Sequence, residues 1–179
     1  PEKVQETIPE FHNGRLRFEA LEMAAAEDST GRVAGAQAEI DFCRQHRGTV
    51  SLLIDAHERG DLPLRITHND TKIDNVLFDR DSGEVVCIVD LDTVMPGLAH
   101  YDFGDMMRTL TSPADEDERD LANVTMRMEY FEELAKGYLA EAGDFLTQAE
   151  RDRLAISGKV ITLILGIRFL TDHLNGDIY

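Results

Sequence analysis

Three polar residues stand at the spacing His-x-Asp-x-x-x-x-Asn, at His68, Asp70 and Asn75. An apolar run follows (Val76 to Phe78), then a turn, then a second apolar run (Val85 to Val89) that leads into Asp90 and Asp92. This layout suits phosphoryl transfer, which needs in-line placement and charge neutralisation more than covalent chemistry. One carboxylate must sit beside the attacking hydroxyl, and Asp70 is the candidate catalytic base. Lys72 lies two residues on and can reach the γ-phosphate of ATP as a point charge, making it both a catalytic and a nucleotide-binding candidate. Asn75 offers an oxygen ligand to magnesium, and a hairpin returning the chain brings Asp90 back beside it. Two oxygen donors at one locus, with phosphate oxygens completing the shell, match the octahedral demand of Mg2+. Asp92 is either a further metal ligand, sharing the face of Asp90 if the strand continues, or a solvated turn residue.

The neighbouring polar residues have simpler readings. His68 braces the loop by hydrogen bonds, and Asp74 caps it. The string Asp102, Phe103, Gly104 spells the magnesium motif of protein kinases. It lies beyond Pro96 and Gly97, whereas the metal-binding carboxylate should emerge directly from the second hairpin strand. Asp90 therefore takes the metal role, and Asp102 and Asp105 are expected to cap a helix or brace a loop.

The elements that must position these groups read as a mainly helical α+β chain with one small β-hairpin at the active site. A linker precedes Pro9. Residues 13 to 27 have helical spacing, with Leu16, Ala20, Met23 and Ala24 on one side. A second helical region runs from about 36 to 59, facing the core with Ile40, Cys43, Val50, Leu53 and Ile54 and broken at Gly48. A turn through Pro63 delivers a short strand over 64 to 67. The hairpin strands are nearly continuous in apolar residues, which predicts burial on both faces, and Gly83 serves the turn between them. A further turn is expected after Pro96 and Gly97. Residues 115 to 118 (Asp, Glu, Asp, Glu) read as a solvated loop or first helical turn. Two long helices follow, 124 to 142 and 147 to 172, the latter opened by a capping box of Thr147 and Glu150. The run from Val160 to Ile167 is apolar all round, so this helix is central to the core.

The chain has 179 residues and a net charge of -17 at pH 7. That charge argues against nucleic-acid and anionic-membrane partners. Cys43 and Cys87 have no ligand-like spacing and read as small core residues in a reducing compartment. With no secretory h-region and no run of ~18 apolar residues, a cytoplasmic location is expected.

At these residues the chain resembles the aminoglycoside phosphotransferase and choline kinase superfamily, whose fold is similar to that of protein kinases. Residues 68 to 75 look like its catalytic loop and residues 88 to 92 like its metal-binding segment. The flanking strings, residues 90 to 97, 101 to 105 and 168 to 179, are most similar to the N-acetylhexosamine 1-kinases. The resemblance implies that ATP phosphorylates the anomeric hydroxyl of an N-acetylhexosamine. It also implies Asp70 as base, Asn75 and Asp90 as magnesium ligands, and Arg168 and Tyr179 near the sugar. For the last two, a helix C-terminal charge and a chain-end aromatic packed on the core are the plainer readings. The four lysines, Lys3, Lys72, Lys136 and Lys159, include none in a strand of the type that pairs nucleotide phosphates, and no glycine-rich phosphate loop is present. Residues 1–179 are accordingly expected to be the C-terminal, substrate- and magnesium-binding lobe, with its own N-terminal nucleotide lobe missing as a partner and the isolated fragment inactive. A kinase for an aminoglycoside or amino alcohol is the alternative within the class, since an acidic surface suits a cationic acceptor. A non-catalytic kinase-like binding module is the alternative outside it. A metal-dependent hydrolase fits poorly, because no His-rich ligand set is present.

Overall fold

A computed structural model describes residues 4–115 and 118–178. Glu116, Asp117 and Tyr179 lie outside the described residues, so neither the expected acidic loop nor the expected sugar contact of Tyr179 is placed in full.

Helix α1 spans Gly14–Glu27 and opens on Asn13, whose side chain accepts from the Arg15 and Leu16 amides. Three short helices follow: α2 (Gln37–Gln45), α3 (Arg47–Val50) and α4 (Leu52–Glu58). Strand β1 (Arg65–Thr67) leads into a 3-10 turn, Ile73–Asn75. Strands β2 (Val76–Phe78) and β3 (Val85–Ile88) form the hairpin, and a second 3-10 turn, Leu91–Thr93, precedes β4 (Met95–Gly97). The chain ends in α5 (Ala99–Thr111), α6 (Met128–Ala142), α7 (Gln148–Arg151) and α8 (Leu154–Asn175). The fold is the expected mainly helical α+β type. It has two separate antiparallel pairs, β1 with β4 and β2 with β3.

Helix α8 is the axis of the core and packs chiefly against α5 and α1. Val160, Ile161, Leu163, Ile164 and Ile167 are all buried, joined by Leu21, Ile40, Leu53 and Leu98. By length and composition α8 could cross a membrane, which the absence of a long uninterrupted apolar run had not suggested. Its buried face packs against α1 and α5, while Phe169 stays exposed. The close approach to α5 needs Gly104, where an added Cβ would lie 2.6 Å from the Ser157 carbonyl. A second cluster, Ala99, Phe103, Ala142, Leu146 and Leu154, seats α6 on α5.

Several expectations are corrected. Helix α1 buries Phe18, Leu21 and Ala24, while Leu16 and Met23 are exposed. Its sequence carries two apolar stripes, and contact between Gly14 and Val50 selects the other one. The region 36 to 59 breaks at His46 and Ser51, and Gly48 lies inside α3. Pro96 and Gly97 belong to β4, paired with Ile66 and Arg65. Helix α6 starts at Met128 rather than 124, because Arg127 is used elsewhere: its guanidinium donates to the carbonyls of Leu110, Thr111 and Ser112 at the end of α5. The last helical region divides into α7 and α8. Its capping box forms as expected, with Thr147 and Glu150 exchanging both bonds. The hairpin is not buried on both faces. Leu77, Phe78, Val85, Val86 and Ile88 are exposed, and so is Cys87, because only Asn75 at the hairpin's base is packed into the helical body.

Candidate active site

The chain leaves β1 at Thr67 and turns sharply at Asn69, which adopts a left-handed conformation at φ +65°. Asparagine tolerates that region better than most residues. Every polar group of Asn69 is engaged. Its amide donates to Asp102 Oδ1 (2.7 Å) and the His68 amide donates to Asp102 Oδ2 (3.0 Å). Its side-chain nitrogen donates to the Thr93 carbonyl (3.0 Å), and its Oδ1 accepts from the Thr67 hydroxyl (3.0 Å). Asp102 sits in the first turn of α5, so the loop is clamped to the helix that α8 supports. Burial, opposed by those two amide bonds, raises the Asp102 carboxyl above its usual range.

The clamp presents Asp70. Its Oδ2 accepts from Asn75 Nδ2 at 3.0 Å, and its own carbonyl accepts from the same nitrogen at 2.8 Å. Lys72 Nζ stands 3.7 Å from Asp70 Oδ2. Both side chains remain partly exposed, at 31% for Lys72 and 26% for Asp70, so the carboxylate is open to a small molecule. With its nitrogen committed to Asp70, Asn75 keeps Oδ1 free of hydrogen bonds among the described residues.

The hairpin returns the chain to Asn75. Val76 pairs with Ile88, and the Val89 amide donates to the Asn75 carbonyl at 2.9 Å. Asp90 is the next residue, in a left-handed conformation at φ +61°. Asp92 lies in the 3-10 turn beyond, so the two aspartates are not on one strand face as expected from a continued β3. Both carboxylates are exposed and make no hydrogen bond or ion pair among the described residues. His68 braces the hairpin as its spacing suggested, with Nε2 donating to the Val89 carbonyl at 3.1 Å.

The structure thus brings Asp70, Lys72 and Asn75 into one cluster, and the strand register places Asp90 one residue beyond the backbone bond of Val89 to Asn75. Arg168 is on a different element. It sits well inside α8 rather than in its last turn, with its guanidinium over the Phe169 ring at 5.5 Å. It lines a cleft of about 310 Å³ with Ile8, Phe11, Arg17, Asp172 and Asn175.

Two contributions escaped the sequence reading. Asn69, passed over between His68 and Asp70, is the knot of the loop. His12, between the expected linker and the first helix, is 8% exposed and donates from Nε2 to the Asn69 carbonyl at 2.7 Å. Its ring packs on Phe11 and Tyr101, and burial lowers its pKa to about 4. The asparagine had a readable signal, a turn-forming residue directly after a strand. The histidine had none, because its partner is a backbone carbonyl 57 positions away.

A sequence model described as the phosphotransferase enzyme family matches residues 3–155, which contain β1 through β4 and all of Asp70, Lys72, Asn75, Asp90 and Asp92. The chain belongs to this phosphotransferase enzyme family (APH), whose members transfer phosphate to small molecules.

Proposed function

We propose that this chain is the catalytic, metal-holding lobe of an ATP-dependent small-molecule kinase, with the anomeric hydroxyl of an N-acetylhexosamine as its acceptor. The observation that carries the reaction type is the shared contact of Asp70 and Asn75. It holds one carboxylate oxygen in place while the other takes part in no hydrogen bond among the described residues. In this reading that free oxygen receives the acceptor's proton as the hydroxyl attacks. Lys72, whose Nζ stands 3.7 Å from the held oxygen Oδ2, orients the γ-phosphate by charge.

The donors near Asn75 fit magnesium. Asn75 Oδ1 and the carboxylates of Asp90 and Asp92 are hard oxygen ligands without competing protein partners among the described residues. Among those residues no three His, Cys, Asp or Glu side chains gather as a metal group, so phosphate oxygens and water would have to fill the shell, as Mg2+ commonly requires. When bound, the ion neutralises charge on the transferring phosphate.

The sugar assignment is supported by the strings from 90 to 97 and from 168 to 179, and by the position of Arg168 on a cleft bordered by Phe11. The exposed apolar surface of the hairpin supports a covering nucleotide lobe, supplied by chain preceding residue 1 in a longer form. The same surface would leave the 179-residue fragment inactive by itself. The test supplies ATP, Mg2+ and an N-acetylhexosamine to both forms and identifies the product. A sugar 1-phosphate from the longer form alone is the expected result. A 6-phosphate, or robust turnover by the fragment, overturns the sugar or the lobe assignment respectively. The net charge of -17 favours one other acceptor class, an aminoglycoside or amino alcohol. A cationic acceptor of that kind would show a KM that rises steeply with salt, whereas an uncharged sugar would not.

A further inference from the structure

The N-terminal segment from Thr7 to His12 touches both loops of the site. Thr7 Oγ1 donates to the Asp92 carbonyl at 2.8 Å. His12 Nε2 donates to the Asn69 carbonyl at 2.7 Å. Arg17 Nη2, from α1, donates to the Phe11 carbonyl at 3.0 Å and holds the segment between these two bonds. Because a carbonyl accepts from it, His12 Nε2 must carry the proton. Burial, which outweighs the raising effects of the Asn69 bond and Asp70, keeps the ring neutral at ordinary pH, so one tautomer is fixed.

The Asn69 carbonyl belongs to the same rigid peptide plane as the Asp70 amide. Holding that oxygen sets the plane from which the Asp70 side chain departs. Asp102 fixes the peptide groups before it, and the Asn75 amide fixes Asp70 after it. Among the described residues the plane between them has one side-chain partner, His12.

We propose that His12 is a positioning residue: it aims the Asp70 carboxylate by fixing the Asn69–Asp70 peptide, and it makes the Thr7–His12 segment a clasp coupling the Asp70 loop to the Asp90–Asp92 loop. This rests on the role given to Asp70 above. A misaimed base costs rate more than nucleotide affinity, since small displacements from the attack geometry are expensive in the transition state.

The test compares His12→Gln, whose amide nitrogen reproduces the Nε2 donor, with His12→Phe, which keeps a ring and loses the donor. In two-dimensional NMR of the 179-residue chain, the amide signals of Asp70 and Thr71 are expected to move in His12→Phe and to hold in His12→Gln. In a longer form that turns over, kcat is expected to fall about 10- to 100-fold in His12→Phe with KM for ATP unchanged, and to recover in His12→Gln. Unmoved Asp70 and Thr71 signals in folded His12→Phe, or an unchanged kcat, overturns the assignment. Should His12→Phe fail to fold, His12→Gln is compared with His12→Asn, whose donor falls short of the carbonyl; equal Asp70 signals in the two overturn it, and displaced signals in His12→Asn alone support it. A wild-type protein that transfers no phosphate refutes the proposed reaction, and the amide signals then decide the peptide-fixing role by themselves.

Discussion

Asp70 and Asn75 form a pair in which each constrains the other. The amide of Asn75 spends its nitrogen on Asp70 and leaves its oxygen without a hydrogen bond among the described residues. Replacing Asp70 by Asn removes the proton acceptor while keeping the shape. Turnover should fall by about 10²- to 10⁴-fold with nucleotide binding retained, as read by steady-state kinetics and nucleotide titration. Replacing Asp102 by Ala is expected to act differently. It strands the His68 and Asn69 amides, each costing about 1–3 kcal/mol if left unsatisfied, so chemical denaturation should show a lower midpoint. At this scale the sequence was informative where chemistry dictates residue type and spacing. The return of the chain at Asp90 to the level of Asn75 was legible, because a hairpin of that length pairs Val76 with Ile88 and bonds Val89 to Asn75. The partners of Asp102 and His12 were not legible, since both side chains bind main-chain groups that carry no residue identity.

Elements were legible in kind and less so in their ends. The capping box of Thr147 and Glu150 marked a true helix start, yet it opened only the four residues of α7. Glu150 explains the stop: its carboxylate is also bonded by Arg65, at 2.6 and 2.8 Å, which ties α7 to the start of β1. That long-range pairing leaves no local trace. The buried stripe of α1 was misread for a related reason, since either of its two apolar faces satisfies helical periodicity and only packing chooses. Where backbones must touch, residue size becomes decisive. A methyl group at position 104 would stand 2.6 Å from the Ser157 carbonyl, so Gly104→Ala should push α5 from α8. The expected cost is about 1–3 kcal/mol, measurable as a lower urea midpoint at unchanged slope. Gly48→Ala, with nothing near its Cβ position, serves as the control and should be neutral or slightly stabilising within α3.

Two buried groups give the molecule acid sensitivity over adjoining pH ranges, His12 before the first helix and Glu150 in α7; His100, buried and with its pKa lowered by burial, acts in the same direction as His12. His12 has a native pKa of about 4 against an ordinary 6.5, with burial the largest cause, the Arg17 and Arg168 charges acting in the same direction, and the Asn69 bond and Asp70 opposing. Below pH 6.5 the unfolded chain therefore takes up a proton that the native chain refuses. Stability from this group is complete above that pH and is lost as pH falls towards 4, by about 3 kcal/mol in all. Burial alone would raise the pKa of Glu150. The Arg65 guanidinium and the Thr147 groups outweigh it and hold the pKa at about 2, against an ordinary 4.5. Its contribution is complete above pH 4.5 and is lost as pH falls towards 2, again by about 3 kcal/mol. The two windows meet near pH 4, which predicts a continuous decline of unfolding free energy from about pH 6.5 downward rather than a single acid transition. Denaturant melts at closely spaced pH values measure it directly. His12→Gln should flatten the upper part of the curve and leave the lower part intact, and Glu150→Gln should do the reverse. A decline that survives in full in His12→Gln would show that the upper window belongs to some other group.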